Sequence, residues 1–419
     1  MHFAFFFPVV VAVYFAIPYR FRWGLLLGAS YYFYICWKPE YVILIMISTL
    51  IVYYAGIQMG KTDSKAKRRN YLILSLASNL TILFFFKYFN FFNNSIRSLF
   101  EYYNISYGVP AFNLLLPVGI SFYTFQVLSY SIDVYRGAKE PEKHLGIFAL
   151  YVAFFPQLVA GPIERSTNLL PQFFKKYDFD YHRVTDGLKK MAWGFFQKLV
   201  IADRLAIYVN ATYNNQAHHG GITLLIATIF FTFQIYCDFA GYSNIAIGAA
   251  KVMGFELMEN FRRPLFSKSI PELWRRWHIS LASWFRDYLY IPLGGNRVGK
   301  WRWYYNIMIV FLITGIWHGA NWTFMVWGML HGFYVIFSLW SKNVREKIST
   351  FLLLNRLPAF HKCARILITF ALFSFSFIIF RANSIAEAFD IVKKIARPDG
   401  SLFIGQPSNF IFSVFAICF

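Results

Sequence analysis

Apolar positions along this chain come in long unbroken runs, not in the half-faced patterns of a soluble fold. Tyr41–Ile57, Tyr71–Phe86, Ile222–Tyr236 and Ile366–Phe380 are four of them. Runs near the roughly 17-residue minimum for a spanning helix predict an all-α, polytopic membrane protein. Residues 3–17 are apolar too, with no basic segment before them and no small-residue cleavage site after them. They read as the first membrane helix and not as a cleaved leader.

Two segments depart from the pattern. Phe154 to Arg165 is mostly apolar but contains Pro156, Gly161 and Pro162. Proline removes a backbone donor and breaks helices, and non-helical backbone at membrane depth needs cover from protein or water. Segment 145–187 is therefore expected to be a re-entrant or interfacial element packed in the protein centre, with a surface loop as the plainer alternative. In segment 251–304, Trp274, Trp277, Leu281 and Trp284 fall on one helical face and Arg275, Arg276 and Arg286 on others. That spacing predicts an amphipathic helix at headgroup level. No internal repeat or low-complexity linker is present, so residues 1–419 read as one membrane domain.

Composition agrees: 58% of residues are hydrophobic and 15% charged, against about 25% charged in soluble domains. The net charge of +21 would point to nucleic acid in a soluble protein. Here the excess of Lys and Arg on cytoplasmic loops accounts for it, and no nucleic-acid partner is expected. Lys61, Lys65, Lys67, Arg68 and Arg69 place residues 61–69 in the cytoplasm, and ten Lys or Arg against four acids do the same for 251–304. Residues 92–112, with only Arg97 and Glu101, and the uncharged 209–221 are expected outside. The crossings follow by parity: 70–91 outward, 113–132 back, 188–208 outward, 222–250 back.

Against this background one residue is conspicuous. His318 lies in a run from Asn306 to Trp340 that has no Lys, Arg, Asp or Glu. An ionisable group at membrane depth is a functional-site candidate. Thirteen residues of helix from Tyr305 rise about 20 Å, past the middle of about 30 Å of hydrocarbon. Gly319 and Asn321 are suited to end the helix just beyond, and Gly315 and Gly319 are expected to leave room for a substrate. The functional reading is a general base, kept neutral by burial; the structural reading is a histidine bonded to a neighbouring helix. His278, beside Arg275 and Arg276, is either a donor-positioning or proton-relay group or an interfacial histidine on a solvated basic helix. Two histidines, one deep and one beside positive charge, suggest the two ends of a reaction path. Asp238, inside an apolar helix, is either paired to an Arg or borders that path. His331 reads as a packing residue, and its helical offset from His318 makes the two a poor metal pair. His218 and His219 lie in a polar outer loop, and the four cysteines show neither metal spacing nor a disulfide framework, so no metal site is expected. The absence of a phosphate-binding loop argues against an ATP-driven pump.

The motifs together resemble the membrane-bound O-acyltransferase superfamily. They are Leu116 to Gln126, Phe155 to Ile163, Asp238 to Ser243, Asn260 to Pro264, Trp274 to Ser280, Phe285 to Asn296 and Trp317-His318-Gly319. The likeness is to the bacterial branch of alginate and peptidoglycan O-acetylation, with teichoic acid D-alanylation related to it. The resemblance implies a ring of about 10–12 membrane helices around a thinned centre, with a tunnel or funnel leading to the histidine. It implies His318 as the catalytic residue and His278 as its second histidine. Arg275, Arg276, Trp317, Asn321, Asp238 and Gln157, in or beside these motifs, are the candidate substrate contacts. It further implies a cytoplasmic donor such as acetyl-CoA or another activated acyl compound, no bound cofactor, and a bacterial inner-membrane location. An exported esterase-like acetyltransferase is the expected partner, with membrane lipids around the chain. Acyl transfer to a cell-surface polysaccharide is the function this implies; D-alanyl transfer, or transport without chemistry, are the alternatives. The family often extends beyond the apolar run 411–419, which leaves room for a further C-terminal helix.

Overall fold

The computed structural model describes residues 2–112, 115–397 and 400–418. Of the crossing expected at 113–132, residues 113 and 114 lie outside the described residues, as does Phe419 of the terminal run. Among the described residues the chain is helical and contains no strand. Among the described residues five helices are long and apolar enough to cross a bilayer: Pro39–Gly60, Lys65–Tyr102, Gly221–Met253, Trp322–Trp340 and Pro358–Arg381. Phe3–Ala16, Leu145–Leu158 and Pro407–Ile417 are shorter apolar helices. This is an all-α, multi-pass membrane protein.

The outer faces explain why the chain needs lipid. On Val42–Gly60, Ile45, Ser48, Thr49, Val52 and Ala55 are buried, whereas Ile43 is 59% and Leu50 50% exposed. The packed face is rich in small and hydroxyl residues and the outer face is apolar but for the Tyr54 hydroxyl, as expected where close approach and hydrogen bonds hold helices together. Ser48 donates to Asn79 Oδ1, and Ser75 and Ser131 share a hydrogen bond of 2.6 Å.

The residues pack as two compact units. One comprises Met1–Ala192 with Ser243–Met258, the other Trp193–Tyr242 with Glu259–Phe419. In the first, the proline-broken segment is indeed internal: Leu150 to Phe154 are fully buried. The helix Leu145–Ala153 ends before Pro156, and Phe155 N–H turns to Ser30 Oγ at 3.0 Å. Tyr151 C=O is satisfied instead by the amides of Gln126 at 2.6 Å and Gln157 at 3.2 Å. Gln157, expected to contact substrate, repairs the broken helix. The surface-loop alternative is excluded, because this backbone is covered and bonded as membrane-depth chain must be.

In the second unit, the helices Lys300–His318 and Trp322–Trp340 form a hairpin. Gly315 and Gly328 approach with Cα-level contact, and a Cβ on Gly328 would strike the carbonyl of Phe311. A Cβ on Gly315 would strike the carbonyl of Phe324, and one on Gly319 the ring of Phe324. These glycines were expected to make room for a substrate. They serve helix–helix contact instead.

Candidate active site

The hairpin turn places the histidine. His318 is the last residue of its helix; Gly319 is extended, at φ −166°, and Asn321 begins the next helix. The expected break beyond His318 is therefore present, and its cause is visible. Asn321 Oδ1 accepts from Thr323 N at 3.1 Å and its Nδ2 donates to Asn383 C=O at 3.0 Å. Asn321 is an N-cap, which occupies both ends of a side chain expected to contact substrate. The helix also begins earlier than Tyr305, at Lys300, which puts His318 about 27 Å from its start.

His318 is half-buried in an aromatic cage. Trp317, Trp327 and Phe380 meet it edge-on, with ring centroids at 5.1, 5.1 and 5.5 Å. Trp317 also meets His278 edge-on at 5.8 Å. The two histidines thus flank one indole. They belong to a single site and are not the two ends of a path across the protein, as their charge environments had suggested.

His278 departs most from expectation. The amphipathic helix is broken: Ile270–Trp274 and Ile279–Phe285 are separate short helices, and His278 between them is left-handed at φ 45°. A histidine in that region marks a constrained turn. The tryptophan face does not lie at headgroup level, because Trp277, Leu281 and Trp284 are buried at 4%, 1% and 8% exposure. Spacing of i, i+3, i+7 fits a buried face as well as an interfacial one.

Asn260 holds this turn. Its backbone C=O accepts from Ile279 N at 2.9 Å. Its side-chain Oδ1 receives Ser280 N at 3.2 Å, Ser280 Oγ at 2.9 Å and His278 Nδ1 at 3.2 Å. Ser280 N–H can only donate, so the atom facing it is the amide oxygen. His278 Nδ1 must then carry the proton, which leaves the lone pair on Nε2. Burial, and secondarily the charge of His318, hold the His278 pKa well below its ordinary value. His278 is therefore a neutral imidazole of one tautomer, packed edge-on against Phe239 at 4.6 Å. Asn260 was visible in the sequence only as part of a motif; its partners lie eighteen and twenty residues away.

His331, read as a packing residue, proves to be a fully buried anchor. Trp274 Nε1–H donates to its Nδ1 at 3.3 Å, its Nε2 meets Ser376 Oγ at 3.0 Å, and Ser376 donates to Phe373 C=O at 2.6 Å. The bonds run in one direction, so Nε2 carries the proton. Trp327 stands between His331 and His318, at 4.7 and 5.1 Å.

The charged candidates sit differently. Arg275 is exposed, and Arg276 pairs with Glu272 at 2.6 Å. Asp238 is paired, though to a lysine and not an arginine: Lys198 Nζ reaches Asp238 at 2.5 Å and Asp203 at 2.8 Å. Among the described residues no group of three His, Cys, Asp or Glu is placed to hold a metal ion.

What this arrangement can do is proton chemistry. It has a half-buried imidazole at a helix end, a second, fully buried neutral imidazole of fixed tautomer nearby, and aromatic rings around both. Residues 30–380 match the membrane-bound O-acyltransferase family. The chain is 41% identical over 334 residues to the "probable alginate O-acetylase AlgI" of Pseudomonas putida, covering 79% of this chain and 68% of that protein. It is 39% identical over 388 residues to the protein of the same description from Pseudomonas aeruginosa, covering 91% and 71%. To the peptidoglycan O-acetyltransferase of Helicobacter pylori it is 33% identical, covering 89% and 73%. With a matched region that includes every residue of the histidine cluster, the chain belongs to the membrane-bound O-acyltransferase family.

Proposed function

We propose that this enzyme O-acetylates a cell-surface polysaccharide from the bacterial inner membrane, with His318 as general base. The observation that carries the reading is the pair of imidazoles flanking Trp317, with His318 at the turn of a helical hairpin that carries no charge from Asn306 to Trp340. Relatives described as alginate and peptidoglycan O-acetylating enzymes support the acyl group and the class of acceptor. Teichoic acid D-alanyltransferases match less of the chain at lower identity, 28% over 56% of it for the Bacillus subtilis protein.

The donor is a cytoplasmic activated acetyl compound, such as the thioester acetyl-CoA. The acceptor is a hydroxyl, either of the polymer or of an exported esterase-like acetyltransferase that completes delivery. His318 removes the hydroxyl proton as the oxygen attacks the acetyl carbonyl. The tetrahedral intermediate collapses with loss of the thiolate, which takes up that proton, so the ester forms and the thioester breaks with atoms balanced. A positioned base of this kind contributes about 10²–10⁴-fold. His278, with its lone pair on Nε2, serves as a proton relay better than as a grip on phosphate, and the buried Asn260 amide keeps it so.

The test is chemical analysis of the polymer. Deleting the gene and restoring it on a plasmid should remove and restore base-labile acetyl groups on one exported polysaccharide, read by mass spectrometry. Finding D-alanyl esters instead, or no change in any acyl ester, would refute the substrate assignment.

A further inference from the structure

A cavity of about 1140 Å³ lies in the second unit, with none of His278, His318 and His331 on its lining. Its lining is sharply divided. Arg263, Lys268, Arg276 and Lys362 contribute cations. Glu272 pairs with Arg276 and acts on Lys268 electrostatically, so four cations face one acid. Lys362 lies near the start of the helix Pro358–Arg381. Ile366 and Phe370 follow it one and two turns on, about 12 Å deep along the axis. Phe233 and Ile229 form the facing wall, one and two turns back from Cys237 on the helix Gly221–Met253. The cations thus form a mouth and the apolar side chains a throat. Phe266 and Leu367, on the lining, are 66% and 61% exposed. In a membrane protein apolar surface that open belongs against acyl chains.

We propose that this cavity binds an anionic glycerophospholipid of the cytoplasmic leaflet, its phosphate at the basic mouth and one acyl chain in the throat. Charge complementarity selects the occupant: a neutral lipid leaves the cations unmatched, and a small soluble anion leaves the throat unfilled. Segment 251–304, which supplies three of the cations, has the Lys/Arg excess of a cytoplasmic segment, and basic pockets between membrane helices on that side suit anionic head groups. The cavity also adjoins the turn that holds His278. Tyr236, on the cavity wall, packs on Phe261 at 6.0 Å and Trp277 at 6.1 Å, and both adjoin His278 in space or sequence.

The experiment is native mass spectrometry of the full chain in detergent, titrated with phosphatidylglycerol or, separately, phosphatidylcholine of the same chains. One phosphatidylglycerol should be retained at least tenfold more strongly than phosphatidylcholine. The double charge reversal Lys268→Glu/Lys362→Glu should abolish that preference, and Lys268→Gln/Lys362→Gln should halve it or more; the Gln pair decides the matter if the reversal does not fold. Equal retention of both lipids, or a preference that survives the substitutions, would overturn the proposal. Displacement of the lipid by coenzyme A at equal concentration would also overturn it, and would give the cations to a soluble phosphate donor. Acyl transfer is not the readout, so failure here leaves the proposed reaction standing.

Discussion

Replacing Asn260 by Ala removes the acceptor for three donors at once, in a place where water cannot substitute. Asn260 and Ser280 are fully buried, and His278 is 1% exposed. Ser280 Oγ can turn to another acceptor, but Ser280 N–H and His278 Nδ1–H cannot. Two unsatisfied buried donors cost about 1–3 kcal/mol each, so Asn260→Ala should lose roughly 2–6 kcal/mol and unfold in detergent well below the wild type. Asn260→Asp separates catalysis from stability. It keeps an oxygen for Ser280 N–H and puts a negative charge on His278 Nδ1–H, which favours the imidazolium. The neutral form then prevails only at higher pH, so the acid limb of the activity profile should move upward while the protein stays folded. Melting by fluorescence-detected size exclusion, with acetyl transfer measured across pH 5–9, reads both effects. A folded, active Asn260→Asp enzyme with the wild-type pH profile would refute the claim that the His278 tautomer and charge matter to transfer.

Other consequences are as direct. Gly328→Val forces a side chain into the Phe311 carbonyl; overpacking of this kind costs about 1–3 kcal/mol or more, so the variant should melt earlier and fold poorly, whereas Gly24→Ala, with open space around it, should behave as wild type in the same melt. Glu164 is buried, receives hydrogen bonds from Met258 N and Asn168 Nδ2, and has its pKa pushed by burial from 4.5 up to about 7. A carboxyl raised on folding binds protons the unfolded chain releases, so stability should fall as pH rises from about 4.5 to 7; melting temperatures of wild type and Glu164→Gln across that window check it, and parallel curves would refute it. Single cysteines at 65 and 300 should resist an impermeant reagent in intact cells while one at Asn104 labels; the reverse pattern would invert the topology.

Features that depend on neighbours along the chain are readable from the sequence. His318 stood out because no charge lies between Asn306 and Trp340, and its helix end was legible from Gly319 and Asn321. The proline-broken segment announced that it needed cover. What failed depends on partners that only the fold brings together. Gln157 and Asn321 looked available for substrate, because nothing local reveals the stranded Tyr151 carbonyl or the Asn383 carbonyl they meet. Gly315 and Gly319 looked like space, because a missing side chain signals either a cavity or a close contact, and only the packed hairpin tells which. The tryptophan spacing misplaced His278 for a related reason: periodicity gives a face but not what covers it. Trp317, read as a candidate substrate contact, lies between the rings of His278 and His318.

The central claim is that His318 acts as the base in acyl transfer. It is tested most directly by purified protein in liposomes, supplied with a radiolabelled acetyl donor and a hydroxyl acceptor, comparing His318→Ala with wild type at matched folded concentration. The expected rate is lower by about 10²–10⁴-fold, with the loss read on folded protein because His318 is half-buried beside the rings of Trp317, Trp327 and Phe380. Transfer within threefold of wild type by a folded His318→Ala protein would contradict it.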